Sequence, residues 1–373
     1  MGVKKQEEAI NFQKDRFSIE YILIAITGII KKMKDSLNIA IAGATGYVGL
    51  ELIKILLKHP KAKIVFLCAN KSVGRSINSF DKKIKRRNLP KITSITKIDW
   101  GKINILFTAL PNGKAQEIAK ILPKRIKLID LSADFRINNP KIYKRWYGIN
   151  HSCKNLIKKS IYAISEFSRN KLPKYNIIAC PGCYPTSIQI PLIPLIKKKM
   201  VNANNIIIDS KSGYSGAGKN IKKKFPGKNL FNSVSAYGVG SHKHMAEIDQ
   251  EISNVAKRKI NITFTPHLIP MFRGILSTIY LETKAEVSAK KIYLYLRKYH
   301  KKNFFVKIAK FNSSIGTGDV LNTNFCKISI CEDRKTNKII IISVIDNLLK
   351  GAAGQAVQNM NVIFKLKEKI GLI

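Results

Sequence analysis

Six cysteines, six histidines and a handful of arginines are the groups in this 373-residue chain best suited to make and break bonds, and one cysteine stands apart by its setting. The stretch Ala179-Cys180-Pro181-Gly182-Cys183-Tyr184-Pro185-Thr186 follows a short apolar run, Tyr175 to Ile178. Pro181-Gly182 demands a sharp turn, and Pro185 carries the φ that suits the first turn of a helix. A strand, a turn and a helix start would set Cys183 against unpaired backbone N–H groups and the positive end of a helix dipole, which favours the thiolate. Cys183 is therefore the candidate nucleophile; the alternative is a buried cysteine packing as a small hydrophobe. His242 and His244 precede a helical stretch, and His267 follows in the segment Phe264 to Gly274. No third ligand accompanies the pair at metal-binding spacing, so no metal is expected and proton transfer near neutral pH suits them better. Arg136 could grip a carboxylate or phosphate with two parallel hydrogen bonds, or simply pair with Asp134.

These groups need a scaffold, and the first part of the chain predicts one. Leu37 to Ala42 is a buried strand, followed by Gly43-Ala44-Thr45-Gly46-Tyr47-Val48-Gly49 and then by Val48, Leu52, Ile55 and Leu56 at helical spacing up to His59-Pro60. Between a strand and a helix, G-x-x-G-x-x-G is a variant of the dinucleotide fingerprint. Its glycines let the backbone turn tightly and approach a pyrophosphate at the helix N-terminus. The next strand, Ile64 to Cys68, ends where an NAD-binding protein carries an acid for the ribose hydroxyl. Here stand Ala69-Asn70-Lys71-Ser72, with Arg75 beyond. With no carboxylate to repel a 2′-phosphate, and Lys71, Ser72 and Arg75 able to hold one, NADP(H) is the expected cofactor.

Ile103 to Phe107 and Lys127 to Leu131 predict further parallel strands, whose following loops lie where ligands gather in a doubly wound sheet. After Cys183 the pattern changes. Ile206 to Ile208 runs into the Ser/Gly-rich Ser212 to Lys219, which could offer N–H groups to an anion or serve as a flexible linker. Ile275 to Glu282 and Ile339 to Val344 read as strands, and Asp346 to Met360 as a helix rich in small residues.

Composition bounds the alternatives. Hydrophobic residues make up 45% and charged residues 24%, as in a soluble globular protein of two domains. Six cysteines are too few for a disulfide scaffold and fit a reducing, cytoplasmic setting. The net charge of +44 raises nucleic-acid binding. Yet the lysines are spread along the whole chain among Ile and Asn, the residues of A/T-rich codons, so no specific nucleic acid is expected. The apolar run Tyr21 to Ile30 is half the length of a membrane span, and residues 1–36 read as an N-terminal extension rather than an anchor.

Taken together, GATGYVG (43–49), ALPNG (109–113), LSADFR (131–136), PGCYPT (181–186), SGYSGAGK (212–219), YGVGSHKH (237–244), PHLIPMFRG (266–274) and DNLLKGAAGQAVQNMN (346–361) resemble the N-acetyl-gamma-glutamyl-phosphate reductase family, a branch of the aspartate-semialdehyde dehydrogenase-like superfamily. The resemblance implies an α/β fold: a Rossmann-like NADP-binding domain over 37–182, an inserted α+β catalytic and dimerisation domain over 183–345, and a C-terminal helix over 346–373 that returns to the first. It implies a homodimer or homotetramer that reduces an acyl phosphate through a thioester on Cys183, with His242 as the base and His244 and His267 in reserve. It further implies substrate anion contacts at Arg136, Ser212, Ser215, Lys219 and Arg273. Cofactor contacts are implied at Gly43, Thr45, Gly46, Tyr47, Val48, Gly49, Lys71, Ser72, Arg75, Asn112, Gly216 and Asn347. The chain departs from the family at Cys180, usually Asn; at Ala246, usually Pro; and at Lys219 and Lys243, often Arg. Cys180-Pro181-Gly182-Cys183 also raises a redox role, with Cys180 resolving oxidised Cys183. An aspartate-semialdehyde dehydrogenase-type reductase, a thiol–disulfide protein and a non-enzymatic NADP or nucleic-acid binder are the competing readings.

Overall fold

The computed structural model describes residues 36–85, 88–219, 221, 229 and 232–373. Apart from Ser36, the expected N-terminal extension lies outside the described residues.

Short, almost wholly apolar runs build a first sheet of seven parallel strands: β1 (Leu37–Ala42), β2 (Ala62–Cys68), β3 (Ile92–Thr93), β4 (Ile105–Thr108), β5 (Lys127–Asp130), β6 (Ser160–Tyr162) and β7 (Ile177–Ala179). Their order is β3-β2-β1-β4-β5-β7-β6, doubly wound outward from β1 and β4. Strands without polar alternation must be covered on both faces, and two separate apolar clusters do so. One holds α1 (Tyr47–Lys58) and the C-terminal α7 (Gly354–Ile363); the other holds α2 (Lys114–Ile121). A fourth helix, α3 (Pro140–Tyr147), packs in a small separate cluster with Ala133, Ile137 and Ala246; it starts on the Asn139 side chain with proline in its first turn and stops at left-handed Gly148.

The remaining strands form a mixed sheet in the order β12-β13-β14-β11-β8-β10-β9. They are β8 (Val201–Gly213), β9 (Ser235–Ala236), β10 (Thr263–Ile269), β11 (Ile275–Thr283), β12 (Val306–Ile308), β13 (Cys326–Glu332) and β14 (Lys338–Ile345). Here apolar and polar residues alternate. Ile206, Ile208, Ile279 and Leu281 face a core shared with α4 (Cys183–Lys197), α5 (His244–Ala256) and α6 (Ala289–His300). Their neighbours Ile207 and Tyr280, paired across β8 and β11, remain 43% and 41% exposed on the other face. Among the described residues no helix is long and apolar enough to cross a membrane.

The two sheets meet where Cys183 stands. β7 ends at Ala179 in the first sheet, and four residues later α4 begins in the core of the second. α7 closes the chain back onto the first.

Candidate active site

Gly182 is the N-cap of α4, and Cys183 is its first residue. No side chain caps this end, and the N–H of Tyr184 points at the Cys183 sulfur. The sulfur is half-buried. Burial pushes the thiol up to about 11, outweighing the downward pull of the Tyr184 N–H and of the Arg136 charge. The helix start thus acts in the expected direction, but the net shift opposes the thiolate, because packing around the junction strips away more water than the dipole repays.

Two histidines reach this junction in different ways. A Cβ built on Gly182 would lie 2.4 Å from His244 Nε2, so the imidazole of His244 occupies the space that the glycine leaves. His244 Nδ1 is buried without a hydrogen-bond partner among the described residues. His242 stands behind it in an aromatic cage of Tyr184, Tyr237 and Phe264, with ring centroids 5.4–5.6 Å away. Its Nδ1 accepts the backbone N–H of His244 at 3.2 Å. Burial drives both imidazoles down to about 3. His267 is elsewhere: on β10 its ring faces Asp209 at 3.3 Å on the outer side of the second sheet.

One carboxylate that the sequence did not single out ties the junction together. Glu247, fully buried one helical turn after His244, accepts the Gly182 N–H at 2.9 Å and the Tyr162 hydroxyl at 3.3 Å. It also receives Arg136 at 2.9 Å and lies 3.9 Å from His244 Nε2. The spacing from His244 (i, i+3 on one helix face) was the available signal. Arg136 therefore pairs with Glu247 rather than with Asp134. Asp134 instead receives the Gly113, Ala115 and Gln116 N–H groups at the start of α2 and the Tyr143 hydroxyl. Arg136 Nε remains buried without a partner among the described residues.

The other expected anion contacts are engaged within the protein. Arg273 spans the two sheets, holding Glu51 on α1 at 2.9 Å and Asp346 at 3.2 Å. Asn347 donates to Ser215 at 2.9 Å and accepts the Gly274 N–H at 2.7 Å, which locks the Ser/Gly loop. Ser212 donates to the Gly213 carbonyl. Gly216 packs beside both Ser212 and Asn347. Lys219 sits over the rings of Tyr47 and Phe80 at 5.5 and 5.8 Å.

The fingerprint glycines fit a nucleotide cradle. Gly43 is left-handed, and a Cβ there would strike the Ala109 carbonyl at 2.2 Å; one on Gly49 would strike the Gly43 carbonyl at 2.2 Å. Gly46 is different. It has an ordinary extended φ of −73°, and a Cβ would meet only the Gly43 carbonyl, at 3.5 Å. The fold itself does not require glycine there, and a close-lying ligand would. α1 has neither a side-chain cap nor an acid in its first turn, which leaves its N–H groups open to a pyrophosphate. Thr45, Tyr47 and Val48 are half-buried around this opening, and Asn112 is exposed at the neighbouring turn after β4. At the end of β2, Lys71 and Arg75 are exposed and Ser72 is buried. Arg75 lies 4.5 Å over Phe80 and bonds Ser79. A cleft of about 930 Å³ runs beside α1 from this region, lined by Tyr47, Phe80, Lys219, Phe272 and Arg273 among others.

Cys180 does not face its neighbour. It is 1% exposed in the core of the first sheet, with Asn359 of α7 3.7 Å from its sulfur, whereas Cys183 packs against the core of the second. Both thiols are free, and burial pushes Cys180 up to about 12. Cys180, expected to resolve an oxidised Cys183, is thus a sealed core residue packed away from it, a placement that does not fit the redox role.

Residues 38–175 match the family model described as semialdehyde dehydrogenase, NAD binding domain, and residues 183–347 match semialdehyde dehydrogenase, dimerisation domain. The chain therefore has a nicotinamide-cofactor-binding unit and an oligomerising one. It is 45% identical over 342 residues to the N-acetyl-gamma-glutamyl-phosphate reductase of Ehrlichia canis (strain Jake), covering 91% of this chain and 98% of that protein. It is 39% identical over 350 residues to a probable chloroplastic N-acetyl-gamma-glutamyl-phosphate reductase of Arabidopsis thaliana, covering 94% and 87%. The fold is shared with aspartate semialdehyde dehydrogenase II of Vibrio cholerae, at a TM-score of 0.69 and 19% identity over 88% of this chain and 98% of that one. With the cysteine at the helix start, the glycine cradle beside α1 and these relatives along nearly its whole length, the chain belongs to the N-acetyl-gamma-glutamyl-phosphate reductase family.

Proposed function

We propose that this enzyme reduces N-acetyl-glutamyl 5-phosphate to N-acetyl-glutamate 5-semialdehyde and phosphate with NADPH, through a thioester on Cys183. The observation that supports the mechanism is the His244 ring packed against Gly182, the residue that leads into Cys183, with Glu247 holding the Gly182 N–H. The resting pair is neutral. Sγ attacks the acyl carbon as its proton passes to His244, the new S–C bond forms, and the bond from carbon to the phosphate oxygen breaks. Gly43, Gly46 and Gly49 and the uncapped start of α1 would hold the nicotinamide cofactor, which when bound would supply the hydride that the thioester needs. His244 hands the thiol proton on to the departing phosphate. A second proton, drawn from solvent and relayed by His244, reaches sulfur as the C–S bond of the reduced adduct breaks and the aldehyde leaves. Glu247 balances the buried Arg136 charge and fixes the Gly182 backbone, so the turn that presents Cys183 cannot drift. His242 orients His244 through its backbone N–H. The exposed outer face of the second sheet, with Ile207 and Tyr280, is the proposed contact of a homodimer, from which a homotetramer could assemble. The six free cysteines suit a reducing cytoplasm.

The reaction is tested in reverse, by phosphate-dependent reduction of NADP with N-acetyl-glutamate semialdehyde and with aspartate semialdehyde. A preference for the second substrate would overturn the assignment in favour of the related dehydrogenase.

Two further results are expected. NADPH should be preferred to NADH, and Lys71→Ala with Arg75→Ala should erode that preference by about tenfold or more through KM for NADPH, leaving the NADH values nearly unchanged. A wild-type enzyme that prefers NADH would contradict this reading of the end of β2. The second concerns pH. With the thiol at about 11 and both imidazoles at about 3, no thiolate–imidazolium pair forms at rest. Below its pKa the thiolate fraction grows about tenfold per pH unit. Iodoacetamide should therefore alkylate Cys183 faster by that factor per unit from pH 7 to 10. A plateau beginning near pH 6–7 would show an ion pair instead.

A further inference from the structure

Cys183 has a second neighbour that no pattern in the sequence announces. Residues Leu349–Ala353 form a π-helical turn between β14 and α7. The Gly351 N–H bonds the Asp346 carbonyl at 3.0 Å, and the Ala353 N–H bonds Leu348 at 2.9 Å, each five residues back. The widened turn carries Gly351 against the nucleophile. A Cβ built there would lie 2.8 Å from Cys183 Cβ and 3.2 Å from its Cα. The adjacent residue is a fully buried lysine. Lys350 Nζ lies 2.7 Å from Glu166 and 2.7 Å from Gln358 of α7, and Gln358 in turn donates to Glu166 at 2.9 Å. Lysine and glutamate are both 0% exposed. A buried ion pair of this kind is weak evidence for stability, since desolvation offsets most of its attraction; its better-attested use is to select one conformation among several.

An α-helical turn is the competing conformation. Losing the extra residue of a π-turn shifts the register by one position, about 100° around the helix axis. Either Lys350 or Ala352 would then face Cys183, and the gap that Gly351 fills has no room for a Cβ. We propose that Lys350 is a positioning residue for Cys183: its buried pairing with Glu166 and Gln358 holds the π-turn, and the π-turn keeps a bare glycine backbone against the nucleophile. The inference rests on Cys183 being the nucleophile. The two can fail separately, because loss of activity in Cys183→Ser tests that reading alone.

The test uses the full chain with NADPH bound. Lys350→Met leaves Glu166 buried and unpaired, so it is compared with Lys350→Met combined with Glu166→Gln, which removes both charges and is expected to restore the melting temperature to near wild type. Both variants should lose about 30- to 100-fold in kcat and at least tenfold in the iodoacetamide rate at Cys183, while the Kd for NADPH stays within about twofold. A merely structural pair predicts that the combined variant, once its stability is restored, alkylates and turns over at wild-type rates, and that result would overturn the proposal. Should the combined variant fail to fold, Glu166→Gln alone decides. A loss in kcat and alkylation at unchanged NADPH affinity supports the positioning role, and wild-type values for both refute it.

Discussion

Cys183→Ser is expected to lower turnover by at least about 10³-fold, some 4 kcal/mol of barrier, while the protein stays folded and NADPH binds as before. A serine hydroxyl fits the same corner beside Gly351 and loses only the contacts of a larger sulfur atom. Its oxygen, however, is a much weaker acid and nucleophile than the thiol, so the proton transfer proposed for the sulfur does not serve it. The acyl phosphate would then have no covalent route. Retained NADPH affinity, read by fluorescence titration, separates this loss from a collapse of the junction. Turnover within tenfold of wild type would show that the reaction does not pass through this sulfur.

Replacing the two histidines separately should give unequal results. His244→Asn removes the ring that fills the space over Gly182, and with it the proton acceptor, for an expected loss of about 10²- to 10⁴-fold in kcat. His242→Asn removes a ring that holds the His244 backbone from inside an aromatic cage. It should cost about tenfold or less in kcat, together with some thermal stability. The resemblance placed the base at His242, and the geometry favours His244. The reverse order of effects would return the role to His242.

The scaffold was legible in the sequence because its signals are local. A strand running into spaced glycines and then a helix can form only a few structures, and Gly43 and Gly49 are needed by the backbone packing itself. The placing of Cys183 at a helix start was legible for the same reason. What could not be read is whatever depends on contacts between distant segments. Burial at the meeting of two sheets reverses the expected acidity of Cys183. The partner of Arg136 lies 111 residues away at Glu247, and Arg273 reaches Glu51 across 222 residues. Cys180 looks like a redox partner by spacing alone, yet the two intervening residues, Pro181 and Gly182, send the two cysteines into different cores. The π-turn at Gly351 has no signature beyond its small residues, and Lys350 within it pairs with Glu166, 184 residues away.

On the proposed mechanism the acyl group is transferred to Cys183 before it is reduced. Enzyme mixed with N-acetyl-glutamyl 5-phosphate in the absence of NADPH, quenched in acid and digested, should yield an N-acetyl-glutamyl thioester on the peptide containing Cys183, in near-stoichiometric amount and cleared on addition of NADPH. An adduct on another residue, or none from an enzyme that turns over normally with NADPH, would contradict the account.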